Sequence, residues 1–223
     1  MEEIGGMNDG RTLVLLGGGG HGAVVAEAAR TCGWTVVGYL DDAAQTAAAR
    51  LVGLERLGAL DDLDRIPAAA LGHAAVGDPT LRRRWLDALA ARTAGPIVHE
   101  SAVVSPSARL APGSFVGPRA VINARAVVGR GVIVNSGAII EHDCVLADFC
   151  HVAPGAVIGG SAVVGEQCVI GLNAAVLPGV HIGAGSTLGA GSVAVAGVPD
   201  GVTAVGVPAR PTEASRASTE AAL

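Results

Sequence analysis

The sequence predicts a small α/β domain followed by a coil of short parallel strands, a parallel β-helix. The main observation is a six-residue period, because every sixth residue from Val98 to Leu188 is a branched aliphatic, sixteen times in succession. This period fits neither a helical turn nor a simple strand and is typical of hexapeptide β-helices. The second observation is an alternation of apolar β-rich and helix-prone segments before residue 95, which indicates a parallel sheet.

The α/β domain is expected over residues 11–95, after a loose extension at residues 1–10. Short apolar runs bounded by turn-forming residues are typical of buried parallel strands. They lie at Leu13–Leu16, Trp34–Leu40 and Leu71–Val76. Helical segments are predicted over His21–Cys32, Leu60–Arg65 and Pro79–Ala91, the last with Asp78 as its N-cap.

The β-helix is expected within residues 96–210. Three hexapeptides make a triangular coil of about eighteen residues, so the repeat predicts about five coils. Stacked at roughly 4.8 Å, they form a prism about 25 Å long. Glycines just after the aliphatic, such as Gly117 and Gly159, suit corner conformations with few steric limits. The asparagines Asn123 and Asn135 occupy the same column and tolerate left-handed φ values. The polar tail at residues 211–223 is expected to be disordered.

Composition excludes several classes of partner. The formal charge of −5 and the pI near 5.6 argue against nucleic acid or an anionic membrane. Mean hydropathy is high at +0.50, but no run of eighteen apolar residues predicts a membrane span. Met1–Gly10 does not resemble a signal peptide, so a cytoplasmic location is expected.

The four cysteines do not form a disulfide-framework pattern. Cys144, Cys150 and Cys168 fall two residues before an aliphatic, in the column of small residues. They are expected to be small buried groups rather than metal ligands or nucleophiles. Cys32 is expected to end a helix and pack.

One corner of the coil breaks the pattern with Glu141, His142 and Asp143 in succession. A histidine between two carboxylates can be oriented by one of them and kept in the tautomer that accepts a proton. The alternative is a solvated polar corner without chemistry. His142 is therefore a candidate general base.

His151 is a second exception, in a column held mainly by valine and isoleucine. It either faces solvent or a subunit interface, or donates a hydrogen bond to a ligand lying along the prism. Phe149 nearby is either a subunit contact or a wall of the pocket. His181 lies in the same column and is expected to be structural or surface-exposed.

The glycine-rich loop after the first strand is the third candidate. Gly17, Gly19 and Gly22 satisfy G-x-G-x-x-G between a strand and a helix, where backbone N–H groups can meet a phosphate. Asp41 and Asp42 end the next strand, where an acid often meets a ribose hydroxyl. About ninety residues are too few for a complete NAD-binding domain, which favours a smaller nucleotide-containing ligand.

Together these motifs resemble one family. LLGGGGHG, YLDD, AVGD, VINARA, VNSGAIIEHDC, FCHVAPGA and GVPAR are similar to the hexapeptide-repeat nucleotide-aminosugar N-acetyltransferases and the related sialic acid O-acetyltransferases. The resemblance covers about residues 12 to 210. It implies a left-handed β-helix, a homotrimer, and acetyl-CoA bound as cosubstrate between neighbouring prisms, with no metal.

The resemblance also implies roles for individual residues. His142 matches the general base, with Glu141 and Asn135 as supporting polar residues. The acetyl-CoA site is expected to include His151 near the thioester, Gly160 along the pantetheine, and Asn173, Ala190 and Arg210. The nucleotide-linked amino sugar is expected at Gly17, Gly19, His21, Asp41, Asp42, Gly77 and Asp78. Asp143 and Asp78 depart from relatives that have Glu and Asn there.

The predicted reaction is acetyl transfer from acetyl-CoA to an amine on a nucleotide-linked sugar. O-acetylation of a sialic-acid-like sugar is the nearest alternative. A β-helix zinc enzyme of the carbonic anhydrase type would need three converging histidines contributed across a subunit interface, for which His142, His151 and His181 are available. A non-enzymatic scaffold is the remaining alternative.

Overall fold

The computed structural model describes residues 11–212, so the extension expected at residues 1–10 and residues 213–223 of the expected tail lie outside the described part. Its N-terminal part is a four-stranded, fully parallel sheet with the strand order β3-β2-β1-β4, which confirms the predicted small Rossmann-like fold. The elements are β1 (Thr12–Leu16), α1 (Gly20–Thr31), β2 (Thr35–Leu40), α2 (Ala47–Val52), β3 (Arg56–Gly58), β4 (Ala70–Ala74) and α3 (Pro79–Leu89). Two 3-10 turns lie at Leu63–Arg65 and Ala90–Arg92.

The segment between β2 and β4 differs from the sequence prediction. It contains α2, capped by the Thr46 side chain at the amide of Ala49, and the three-residue strand β3. The helix expected over Leu60–Arg65 is a single 3-10 turn. Elements this short carry too few residues to display a hydrophobic period, so the sequence does not reveal them.

The second part is the parallel β-helix. Its two-residue strands are β5 (Ile97–Val98), β6 (Val103–Val104), β7 (Arg109–Leu110), β8 (Phe115–Val116), β9 (Val121–Ile122), β10 (Val127–Val128), β11 (Ile133–Val134), β12 (Ile139–Ile140), β13 (Val145–Leu146), β14 (His151–Val152), β15 (Val157–Ile158), β16 (Val163–Val164), β17 (Val169–Ile170), β18 (Ala175–Val176), β19 (His181–Ile182), β20 (Thr187–Leu188) and β21 (Val193–Ala194). β22 (Thr203–Val205) and the antiparallel β23 (Arg210–Pro211) close the end.

The strands form three faces, because each pairs in parallel with the strand one coil away. The first face runs from β5 through β8, β11, β14, β17 and β20 to β22 and β23. The second face holds β6, β9, β12, β15, β18 and β21, and the third holds β7, β10, β13, β16 and β19. We call the turn between the first and second faces the first corner, that between the second and third the second corner, and the remaining one the third corner. The fold class is the predicted left-handed parallel β-helix.

The interior of the prism is the predicted aliphatic column. Its members from Val116 onwards are buried, and Val98, Val104 and Leu110 are partly buried because no coil covers the first one. Cys144, Cys150 and Cys168 are buried in the neighbouring small-residue column. Their thiols lie 2.8 to 3.1 Å from the carbonyl oxygens of Gly159, Gly165 and Gly183. The cysteines therefore pack, as predicted.

The corner glycines work differently from the prediction. Neither the glycines Gly117 and Gly159 nor the asparagines Asn123 and Asn135 have left-handed φ values, which occur two residues later, as at Arg119. A Cβ at Gly159 would lie 2.6 Å from the backbone nitrogen of Pro178 in the next coil. Glycine is favoured there because successive coils stack closely, not because of its φ freedom.

The two parts pack through the first face. Its outward residues Ile97, Phe115 and Ile133 are buried in one cluster with residues of β1 and α1. Phe149 at the third corner is buried with Leu86 of α3, so its predicted exposure to a partner or a pocket is wrong. Across residues 11–212 no helix has the length and apolar character to cross a membrane.

Candidate active site

The residues predicted to bind the nucleotide-linked sugar lie at the carboxyl edge of the N-terminal sheet, a region that we call the sugar crevice. β1 lies between β2 and β4, so the loops that follow β1 and β4 leave in opposite directions. Ligands of open α/β sheets bind at such a switch point. The residues predicted to bind the nucleotide-linked sugar all follow β1, β2 or β4 and therefore share this edge.

The glycine loop has the features of a phosphate-binding turn. Gly17 has a φ of +106°, and a Cβ there would lie 2.7 Å from a Val76 methyl, so the loops after β1 and β4 touch. Gly22 packs directly on the carbonyl of Gly17. Gly19 is exposed, has no neighbour within 4 Å of a built Cβ, and begins α1 without a side-chain cap. The first-turn N–H groups of α1 therefore face open space where an anion can bind.

The aspartates beside this loop are engaged in shaping it. Asp41 accepts hydrogen bonds from the amides of Gly18 (2.7 Å) and Ala43 (2.8 Å). Asp42 accepts from the amide of Leu60 at 3.1 Å. Asp78 caps α3 by accepting from the amide of Leu81 at 2.8 Å, as predicted. Each carboxylate has lone pairs left for a ligand, so a shaping role and a binding role are compatible.

His21 points inward, away from the open face of the glycine loop. Its ring packs edge-on against Phe115 with the centroids 5.3 Å apart, and its Nε2 is buried without a hydrogen-bond partner among the described residues. Burial, together with His151 and Arg82 nearby, lowers the pKa of His21 to about 4. Any contact of His21 with substrate is therefore restricted to its backbone and the exposed edge of its ring.

The second corner of the coil carries a histidine–carboxylate pair. His142 Nδ1 lies 2.8 Å from Asp143 Oδ2, so the carboxylate that orients the ring is Asp143 rather than Glu141. Asp143 is held in turn by two hydrogen bonds from Arg125, at 2.6 and 2.7 Å. Hydrogen bonds from Arg125 and His142 keep the pKa of Asp143 well below its usual range. The carboxylate is thus ionised at neutral pH and favours the His142 tautomer whose Nε2 accepts a proton.

The sequence offered Asp143 only as one of two carboxylates that could orient His142, with Glu141 named among the catalytic residues, and it did not single out Arg125. The signal for Arg125 is its spacing, because it lies eighteen residues before Asp143 and therefore one coil away in the same column. Gly160, one coil after His142, lies under the imidazole ring, where a Cβ would be 2.8 Å from His142 Nε2.

Asn135 and His151 meet near the first corner, apart from His142. Asn135 Nδ2 is 3.2 Å from His151 Nε2, and the amide of Ser136 donates to Asn135 Oδ1 at 2.8 Å. Because Oδ1 takes the Ser136 amide, Nδ2 donates to Nε2, and the proton of the neutral ring sits on Nδ1. Burial and the charge of Arg82 lower the pKa of His151 to about 4. A hydrogen bond with the backbone of Gly77 acts in the opposite direction and raises this pKa.

The other predicted acetyl-CoA contacts flank the second face. Gly160 lies at the second corner, whereas Asn173 and Ala190 lie at the first corner, in later coils than Asn135. Val157 and Ala175 face outward on the strands between the two corners. Arg210 is exposed on β23 and lines a cavity with Val198 and Ala209 at the end of the coil. Gly160, Asn173 and Ala190 thus border the second face, whereas Arg210 lies at the end of the coil.

The three coil histidines do not converge in one chain. His142 lies at the second corner, His151 on the first face and His181 exposed on the third face. In the part of the chain that the structure describes, no three His, Cys, Asp or Glu side chains are grouped to hold a metal ion. The arrangement that a zinc site requires is therefore not formed within one subunit.

The buried histidines predict how stability depends on pH. Burial is the largest cause that lowers the pKa of His73 to about 3, and of His21 and His151 to about 4. The unfolded chain takes up these protons near pH 6.5, before the folded one does. Stability is therefore complete above pH 6.5 and falls toward pH 4, by up to about 1.4 kcal/mol per pH unit for each histidine.

Urea unfolding between pH 7 and pH 4.5 measures how the free energy of unfolding changes with pH. This interval lies above the pKa values of ordinary carboxylates. His73→Gln should flatten this pH dependence, whereas His181→Gln, at an exposed position, should leave it unchanged. An unchanged slope in His73→Gln would contradict the assignment.

Comparison with known proteins agrees with this architecture. Residues 12–89 match the family model described as the PglD N-terminal domain. Perosamine N-acetyltransferase from Caulobacter crescentus, crystallised with CoA and GDP-perosamine, is 38% identical, with a TM-score of 0.84 over 90% of this chain and 96% of that chain. The chain belongs to the nucleotide-aminosugar acetyltransferases.

One further structure supports this family membership, and another shows the same fold. The acetyltransferase domain of PglB from Neisseria gonorrhoeae, in complex with acetyl coenzyme A, is 38% identical, with a TM-score of 0.85 over 91% of this acetyltransferase and all of that chain. WeeI from Acinetobacter baumannii is 24% identical, with a TM-score of 0.77, and shares the fold. A search of the curated proteins found no match.

Proposed function

We propose that this acetyltransferase moves the acetyl group of acetyl-CoA to the amine of a nucleotide-linked amino sugar. The observation that carries the proposal is the His142–Asp143 pair on a coil whose N-terminal domain presents an open phosphate-binding turn. Relatives of 38% identity are crystallised with CoA and GDP-perosamine or with acetyl coenzyme A. One of them carries asparagine in place of a histidine, which is consistent with a histidine of functional importance.

In the proposed mechanism His142 Nε2 takes the proton from the amine as the amine attacks the thioester carbonyl. The tetrahedral intermediate then breaks its C–S bond, and the imidazolium gives the proton to the departing CoA sulfur, which leaves as the free thiol. Asp143 holds Nδ1 and stabilises the imidazolium that forms, and Arg125 keeps Asp143 ionised. Base catalysis of this kind contributes roughly 10²- to 10⁴-fold. Holding the two substrates in attack geometry contributes up to about 7–11 kcal/mol, so positioning outweighs the base. A role for His151 beside the thioester stays a prediction.

We also propose a homotrimer with each site shared between subunits. Within one chain the sugar crevice adjoins Gly77, His151 and Asn135 near the first corner, whereas His142 lies at the second corner, beyond β12. A neighbouring copy would bring its second corner to this crevice. Exposed valines on the third face, Val127, Val145 and Val163, offer apolar surface for such packing. A cytoplasmic location stays a prediction.

The experiment is release of free CoA thiol from acetyl-CoA in the presence of a panel of acceptors. GDP-perosamine, UDP- and CMP-linked amino sugars, and a sialic acid are the probes. We expect release with at least one amino sugar, with mass spectrometry showing one added acetyl group on its amine. Release with the sialic acid alone would support O-acetylation instead, and release with none would contradict the proposal. Metal analysis of the active protein tests the zinc alternative.

A further inference from the structure

Arg82 of α3 is a fully buried arginine that holds only backbone groups. Its side chain has no exposed surface. It donates five hydrogen bonds, all to carbonyl oxygens: from Nε to Gly131 (2.6 Å), from Nη1 to Val76 (3.0 Å) and Gly77 (2.8 Å), and from Nη2 to Phe149 (2.6 Å) and Cys150 (3.2 Å). Within residues 11–212 no carboxylate lies within ion-pair distance of it.

The carbonyls that Arg82 binds belong to both domains. Val76 and Gly77 form the loop after β4, at the edge of the sugar crevice. Phe149 and Cys150 directly precede His151 on β14. The planar guanidinium therefore holds this loop against the residues that precede β14. Its N–H donors point in fixed directions, which the ammonium group of a lysine does not reproduce.

A second link reinforces the first. Asn135, oriented by the Ser136 amide, donates to His151 Nε2, and His151 also meets the backbone of Gly77. A Cβ built on Gly77 would lie 3.9 Å from His151 Cε1, which is ordinary contact. Arg82 and His151 therefore hold the same loop residue from two sides.

We infer that Arg82 is a positioning residue for acetyl transfer: it sets the distance between the sugar crevice and the strand that carries His151. The inference rests on the proposed function, because it concerns the alignment of acceptor and donor. The crevice is a feature of the N-terminal sheet, and the proposed acetyl-CoA surface is a feature of the coil. Weakening the Arg82 hydrogen bonds should therefore leave the binding of each single ligand intact and reduce the rate of acetyl transfer between the two.

The first test is Arg82→Lys, which keeps the charge and loses the fork of donors. We expect kcat to fall roughly 10- to 100-fold, as for a misplacement of about 1 Å. The Kd values for CoA alone and for GDP or UDP alone, measured by calorimetry, should stay within about threefold. Arg84→Lys is the matched control, because Arg84 lies on the same helix but pairs with Asp61 at the surface.

A second variant perturbs the same contact without touching the buried charge. Gly131 has a φ of +63°, and a Cβ there would lie 2.8 Å from Leu86 of α3 and from the ring of Phe149. Gly131→Ala should therefore push α3 away from the coil. Gly185→Ala is its control. Gly185 lies at the same corner with a φ of +66°, but a Cβ there would have its nearest neighbouring atom 4.0 Å away.

All variants are assayed as full chains, at a temperature where circular dichroism shows them folded. A fall in kcat with both single-ligand Kd values retained, in Arg82→Lys or in Gly131→Ala but not in the controls, supports the inference. Unchanged kcat, or equal losses in kcat and both Kd values, overturns it. If Arg82→Lys does not fold, Gly131→Ala decides. Inactivity of the wild type toward every acceptor would instead contradict the proposed function.

Discussion

Replacing His142 by alanine is expected to lower kcat for acetyl transfer roughly 10²- to 10⁴-fold. Kd values for CoA and for the nucleotide sugar should change little. The fold and the Kd values should be retained because the His142 ring lies exposed at a corner and contributes nothing to the buried core. One of its nitrogens is bound to Asp143. Its Nε2 lies beside Gly160 and makes no hydrogen bond to another described residue. Steady-state rates with saturating substrates, together with calorimetric Kd values, check the prediction.

His181→Ala is the matched control for this variant. His181 is also an exposed histidine of the coil, on the third face away from the second corner. We expect it to retain wild-type kcat. Near-normal turnover in His142→Ala would remove the general-base assignment, and the attacking amine would then need another proton acceptor.

Mixing two inactive variants is expected to restore activity. His142→Ala lacks the base, and Gly19→Asp blocks the sugar crevice. Gly19 has a φ of −67° and open space around it, so an aspartate fits there as a helix cap. The aspartate carboxylate then accepts hydrogen bonds from the N–H groups that would bind a phosphate, and its negative charge repels the phosphate.

In a mixed trimer a working site forms where a subunit with an intact crevice meets a neighbour with an intact His142. Random assembly of equal amounts gives this combination in about one quarter of the sites. Co-refolding the two variants should therefore give about one quarter of wild-type turnover, whereas each variant refolded alone stays inactive. If crevice and base belonged to the same subunit, the mixture would stay as inactive as its parts.

The coil could be predicted in detail because its signal is repeated. A single aliphatic at a sixth position means little, but sixteen in succession allow no other regular structure. The same regularity made Glu141, His142, Asp143 and His151 visible as exceptions. The α/β part gave weaker signals, so α2 and β3 were missed and the helix expected over Leu60–Arg65 proved to be a 3-10 turn.

The roles within the candidate site depended on side-chain contacts that spacing does not encode. The sequence offered two carboxylates for His142, and the structure selects Asp143, which also binds Arg125 from the preceding coil. The corner glycines were predicted for their φ freedom, but stacking between coils explains them. Phe149 was expected at an outer wall and instead lies buried against α3.

By itself the sequence determined the fold class, the placing of a glycine-rich turn between β1 and α1, and the few polar residues that interrupt the coil. Only the tertiary structure decided the contacts of Arg82, Arg83 and Arg84, because the sequence does not distinguish three consecutive arginines from one another. Packing of α3 on the coil buries the first, pairs the second with Glu166 and leaves the third at the surface. The physical reason is that burial against another element removes water, and a buried guanidinium must then be satisfied by the carbonyls around it.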